Sequence, residues 1–151
     1  MTDVRHQRED VAGLIPHTGV ARFLSAIVSV TASAIHATGT IPARHPLVVD
    51  GAAPAFLAIE LGAQAAAALE AIAHVGSRDD APQPQTGTLV RIREAQFSRA
   101  SVPVDAPIHI TAERAGAALP LAMYRLSATL DGAPILTALI STHAAPNRSA
   151  S

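Results

Sequence analysis

The sequence predicts an α+β domain in which one long central helix is wrapped by a single antiparallel sheet. Three observations carry that expectation. The stretch from Pro54 to Val75 is rich in alanine and leucine and apolar on nearly every side, as a helix is when protein rather than water surrounds it. Strand-like segments flank it, two before and about four after, with alternating or β-branched apolar residues. The connections between them are short and turn-rich, which leaves too few crossover helices for a parallel sheet.

In chain order, residues 1–10 are a charged lead, and Val11 to Ile15 has the makings of one helical turn before Pro16 stops it. Arg22 to Val30 and Ala34 to Ile41 read as a hairpin broken at Thr31-Ala32-Ser33. Pro42 and Pro46 then bracket Arg44 and His45 in a segment that cannot be regular strand, and Asp50-Gly51 adds a turn. Pro54 suits the first helical position and Gly76 the residue just past the last. The run from Ser77 to Gly87 has the composition of a surface loop. Leu89 to Arg99 reads as a strand, and Ile108, Ile110 and Ala112 alternate with His109, Thr111 and Glu113, which sends His109 to the polar face. Leu119, Leu121 and Met123 have one parity and Leu126, Ala128 and Leu130 the other, so a continuous strand there calls for a bulge near Tyr124. Asp131-Gly132 marks a hairpin, and Ile135 to His143 is the returning strand.

Composition bounds the function. The 151 residues suffice for one domain with a real core, taken as 1–151 with flexible ends at 1–10 and 145–151. At 49% hydrophobic and 15% charged the chain is not a disordered one. A formal net charge of -1 and 3% aromatic residues give neither charge nor stacking platforms for nucleic acid. The absence of cysteine removes disulfides, thiolate metal sites and cysteine nucleophiles, and is compatible with a reducing cytoplasm. The opening residues are too polar for a signal peptide, and Glu60, Gln64 and Glu70 interrupt the longest apolar run, so no membrane span is expected. The expectation is a soluble cytoplasmic protein.

Glu60 and Gln64 are one helical turn apart and therefore share a face of the apolar helix. Apolar surroundings disfavour a charged carboxylate, which makes Glu60 an expected proton donor, while the imidazole of His45 can accept a proton. Unpaired N–H groups at the helix start near Pro54 can hold a carbonyl oxygen as it gains charge. Beside this stands a plainer reading of Glu60 and Gln64 as a satisfied polar pair at a subunit interface. His17 lies in a turn-like context where a lone histidine is usually a surface or capping residue, and it is left out of the catalytic set. Glu70 and His74, four apart near the helix end, are set aside as a metal site. Neither a glycine-rich phosphate loop nor a G-x-S-x-G elbow occurs.

Across roughly residues 14–143, the sequence resembles the hotdog-fold 3-hydroxyacyl-acyl-carrier-protein dehydratases, especially the divergent members found in aryl polyene gene clusters. The matching stretches are Leu14-Ile15-Pro16-His17, His45-Pro46-Leu47, Pro54 through Glu60 into Gly62-Ala63-Gln64-Ala65, Ala95 to Arg99, and Val102 to Asp105. The resemblance implies a hotdog homodimer that dehydrates a 3-hydroxyacyl thioester carried on acyl carrier protein or CoA, with no cofactor and no metal. It implies His45 as the base, Glu60 of the neighbouring subunit as its acid partner, Pro54 and Ala55 beside the thioester oxygen, and a supporting role for Gln64. Two departures stand out. The family's usual glycine, histidine, phenylalanine, proline run is Arg44-His45-Pro46-Leu47 here, with one more residue than the common spacing before Glu60, and Ala55 replaces a glycine. Arg91, Arg93 and Arg99 could face an acidic carrier, although three arginines on mixed strand faces are more often solvated. The competing readings are a hotdog thioesterase, in which the helix acid activates water, and a catalytically silent subunit that pairs with an active homologue.

Overall fold

The apolar stretch folds as helix α1, Leu57–Val75, and a six-stranded antiparallel sheet curls around it. The computed structural model describes residues 11–75, 87–118 and 120–144. Single turns of 3-10 helix, Val11–Gly13 and Gly19–Ala21, lead into strand β1, Leu24–Val30. Then follow β2 (Ala34–Gly39), β3 (Ala52–Pro54), α1, β4 (Gly87–Phe97), β5 (Ser101–Pro103), β6 (Ile108–Ala118), β7 (Leu121–Leu130) and β8 (Ala133–Ala144). The large sheet has the order β1-β2-β6-β7-β8-β4, with every neighbour antiparallel. This is the α+β hotdog arrangement expected from the sequence. Gly76, residues 77–86 of the expected surface loop, Leu119 and both chain ends lie outside the described residues.

Alanine is what lets helix and sheet come this close. Ala58, Leu61, Ala65, Ala68 and Leu69 of α1 are buried against the inward residues of β2, β6 and β7, including Ile35, Ile110 and Leu126. Burying each of these larger side chains contributes about 1.5–3 kcal/mol. Two glycines set the approach distance. A methyl group at Gly62 would meet Leu126 Cδ1 at 2.5 Å, and one at Gly39 would meet both Leu61 Cδ1 and the carbonyl oxygen of Phe23 at 2.4 Å. The helix is therefore held at a fixed depth against β2 and β7.

Several expectations need correction. Pro54 does not open the helix: residues 52–54 are β3, paired with β5 through Ala52↔Pro103, Ala53↔Val102 and Pro54↔Ser101. Ala53 and Val102 are both fully buried, and that burial captures the segment as strand. A residue preceding proline is biased towards extended backbone, and a proline without an N–H is tolerated on so short an edge. The helix begins only after a turn at Ala55-Phe56, in which the Ala58 amide donates to the Ala55 carbonyl at 3.0 Å. The expected single sheet is thus accompanied by a two-stranded one.

The bulge expected on β7 near Tyr124 is not found: the strand keeps one parity and leaves Leu121 outside the core. β7 is continuous, and the register shift falls on β6 between Arg114 and Gly116, opposite Tyr124 and Met123. Tyr124, Leu126, Ala128 and Leu130 face the core, whereas Leu121 lies outside it. Glu70 accepts hydrogen bonds from Arg114 and from the Tyr124 hydroxyl, the latter at 2.5 Å, and ties the far half of α1 to β6 and β7. At the β7–β8 turn, Asp131 and Gly132 both have positive φ, 50° and 78°, as a two-residue hairpin turn of that hand requires.

Candidate active site

Glu60 sits in the first turn of α1, one turn before the fully buried Gln64. Its side chain is 38% exposed, so the expected apolar enclosure of the carboxylate is not found within one chain. The reason is positional: Glu60 is at the helix end that abuts the segment before β1, not beneath the sheet. Oε1 lies 3.0 Å from His17 Nε2 and accepts a hydrogen bond from Gln64 Nε2 at 3.4 Å. Among the described residues nothing engages Oε2, so one carboxylate oxygen is held and the other is presented.

Gln64 is fully buried, and each of its polar atoms is committed. Its Oε1 accepts from the Phe23 and Leu24 amides at 2.9 and 3.1 Å, and its Nε2 donates to the Ala21 carbonyl at 2.7 Å as well as to Glu60. Leaving the Phe23 and Leu24 amides unpaired in the core would cost about 1–3 kcal/mol each. Gln64 therefore fastens the entry of β1 to α1 and steadies Glu60, and within one chain it has no surface to offer a substrate.

His45 lies in the irregular segment between β2 and β3, as expected. The Leu47 amide donates to its Nδ1 at 3.2 Å, which puts the hydrogen of the neutral ring on Nε2, and the ring packs edge-on against Phe23 with centroids 5.4 Å apart. Within one chain no contact joins His45 to Glu60; among the described residues Glu60 meets His17 and Gln64 instead. Pro54 is half-buried and Ala55 is buried. The Ala55 amide, expected beside a thioester oxygen, donates to the Ala100 carbonyl at 3.0 Å. The next amide, at Phe56, has no backbone acceptor among the described residues.

The family profile described as ApeP dehydratase matches residues 9–150. The chain belongs to the ApeP-like dehydratase family. Among solved structures it is similar to the dehydratase heterocomplex ApeI:P from Xenorhabdus doucetiae, at TM-score 0.80 and 20% identity over 95% of each chain. It is also similar to a hypothetical thioesterase with coenzyme A from Streptococcus pneumoniae (TM-score 0.57, 14% identity, 82% of this chain and 87% of that one). A homologue of HP0420 from Helicobacter felis shares the fold at TM-score 0.62 and 9% identity, over 93% and 90% of the two chains. No curated protein sequence matches.

In this ApeP-like chain, His17 is the contact that sequence reasoning missed. Its signal was present, since Leu14-Ile15-Pro16-His17 is one of the stretches that carries the family resemblance, but turn-like context assigned it to the surface. The remaining candidates stay apart from Glu60. Arg91 and Arg93 are exposed on β4, and Arg99 is turned back to the Ser101 carbonyl at 2.6 Å. His36 and His109 meet on the outer face of β2 and β6 at 3.3 Å, where burial and the neighbouring imidazole lower the pKa of His36. Among the described residues no group of three or more His, Asp or Glu is arranged to hold a metal, and no helix is long and apolar enough to cross a membrane.

Proposed function

We propose that this dehydratase acts on a 3-hydroxyacyl thioester, carried on acyl carrier protein or CoA, and forms the trans-2-enoyl thioester. The observation that carries the reading is the half-held carboxyl of Glu60: Oε1 fixed by His17 and Gln64, Oε2 free at an accessible face. The thioester carbonyl acidifies the C2 proton. A base takes that proton, the C2–H electron pair becomes the C2–C3 double bond, and the C3–O bond breaks as Glu60 Oε2 protonates the departing hydroxyl to water. Electrons and protons balance without a redox partner, so the chemistry calls for no cofactor.

His45 is the proposed base, supplied by the partner subunit, because one chain does not bring it to Glu60. Its basic nitrogen, Nδ1, is taken by the Leu47 amide here, so this contact gives way as the substrate enters. The Phe56 amide is the proposed donor to the thioester oxygen, in place of Ala55. For the second subunit we propose another copy of this chain on β4, an edge strand with Val90, Ile92 and Phe97 exposed. The dehydratase heterocomplex ApeI:P from Xenorhabdus doucetiae supports a paired assembly of such domains.

The test is a mass measurement on 3-hydroxyacyl thioesters of several chain lengths, on carrier protein and on CoA, without added metal. Loss of one water from the bound acyl group is the expected result, and Glu60→Gln is expected to lower the rate by about 100-fold or more, since an amide supplies no proton. Release of free acid would establish the thioesterase reading instead. No reaction at any chain length would leave the silent-subunit reading in possession.

A further inference from the structure

We infer that His17 is the positioning residue of Glu60: its imidazole donates from Nε2 to Oε1 and so dictates that Oε2 alone meets the substrate. The effect on rate rests on the dehydratase reading above, whereas the contact itself is testable without it. The first support is the distance, 3.0 Å from Nε2 to Oε1 within a single chain. The second is how His17 is held. Leu14 and Ile15, just before it, are buried, and Ala21, four residues after it, is bound through its carbonyl to Gln64. A histidine anchored on both sides in this way is not a freely moving surface residue.

The third support is the other ring nitrogen. His17 Nδ1 is buried and has no hydrogen-bond partner among the described residues. A hydrogen on Nδ1 would be a buried donor without an acceptor, so the form that fits the site carries hydrogen on Nε2 alone. That form is a neutral donor aimed at the carboxyl. Gln64 Nε2 donates to the same oxygen from the helix side. Two donors converging on Oε1 from different elements leave the carboxyl little freedom to turn over, which is the pre-organisation a proton-transferring group needs. His17 does not touch the reacting atoms in this arrangement; it acts through Glu60.

Steady-state kinetics of three proteins decide the matter. His17→Leu is expected to lower kcat by about 10- to 100-fold with KM within about two-fold of wild type, because the lost interaction is one of orientation. His17→Gln retains a side-chain N–H donor and is expected to recover most of kcat. Circular dichroism and thermal melting establish that each variant is folded. An unchanged kcat in folded His17→Leu overturns the inference, and so does an equal loss in Leu and Gln variants. The second readout is the nitrogen NMR signal of the His17 ring, which needs no turnover. Hydrogen on Nε2 in wild type, with a shifted Nε2 signal in Glu60→Gln, is expected; hydrogen on Nδ1 overturns the assignment. If wild type dehydrates nothing, the proposed reaction fails while the NMR measurement still decides this contact.

Discussion

At the scale of single residues, the polar groups along α1 divide into two clusters with different duties. Around Glu60, Gln64 and His17 secure one oxygen and leave the other free, an arrangement suited to chemistry. Around Glu70, the donors Arg114 and Tyr124 converge on one carboxylate oxygen, an arrangement suited to joining α1 to β6 and β7. The pKa of Arg114 is raised, mainly by its hydrogen bond to Glu70. Burial first, then the hydrogen bond to Glu70 and its charge, hold the Tyr124 hydroxyl well above the ordinary tyrosine range. The sign follows from linkage: the unfolded chain releases its tyrosine proton near pH about 10, before the folded one does, so stability is intact below that pH and falls as pH rises through it. Tyr124 is the sole tyrosine, so tyrosinate absorbance reports this group alone. In an alkaline titration, tyrosinate is expected to appear only together with loss of the circular dichroism signal. Ionisation near the ordinary value with the fold intact would contradict the buried, hydrogen-bonded hydroxyl.

At the scale of elements, the position of α1 against β2 and β7 depends on what is missing at Gly39 and Gly62. The Gly62 clash would be with the flexible end of Leu126, which can rotate. The Gly39 clash would include the Phe23 carbonyl, part of the backbone just before β1, which cannot. Gly39→Ala is therefore expected to destabilise the fold by about 1–3 kcal/mol, and to do so more than Gly62→Ala. Urea midpoints for the two variants check both the size and the order. Because Phe23 also donates its amide to Gln64 and packs against His45, a shift at Gly39 would be felt at the active site.

At the scale of the whole molecule, the proposed site is shared, and its test is mutual rescue. His45→Ala chains mixed with Glu60→Ala chains are expected, after subunit exchange, to give about half mixed dimers, each with one intact site of two, and hence up to about a quarter of wild-type activity. Each variant alone is the control, and a flat rate despite proven exchange would refute the shared site while leaving the fold untouched. The exchange belongs at moderate salt. A two-fold pairing of β4 with itself centred on any residue from Arg91 to Arg93 brings arginines of the two copies face to face, and screening relieves that repulsion. If no mixed species forms at any salt concentration, a homologous subunit with acidic residues on its matching strand becomes the better occupant.

The sequence by itself determined the helix as the organising element, the hairpin at β1–β2, the turn at Asp131-Gly132 and the inward parity of β6, because these follow from local periodicity and turn chemistry that any context would preserve. It also singled out Glu60 and Gln64, since polar residues in so apolar a helix stand out on composition alone. Only the tertiary structure decided that Pro54 is strand rather than helix, because the deciding contact, Ala53 with Val102, comes from a segment far along the chain. The same holds for the Ala55 amide, claimed by Ala100, and for Glu70, claimed by Arg114 and Tyr124. His17 is the clearest case. Nothing within its neighbouring residues reveals a partner more than forty positions away, and only when the segment before β1 is fastened to α1 does an ordinary turn histidine come to face Glu60. Local chemistry fixes which elements form, and long-range packing assigns their polar groups to one another.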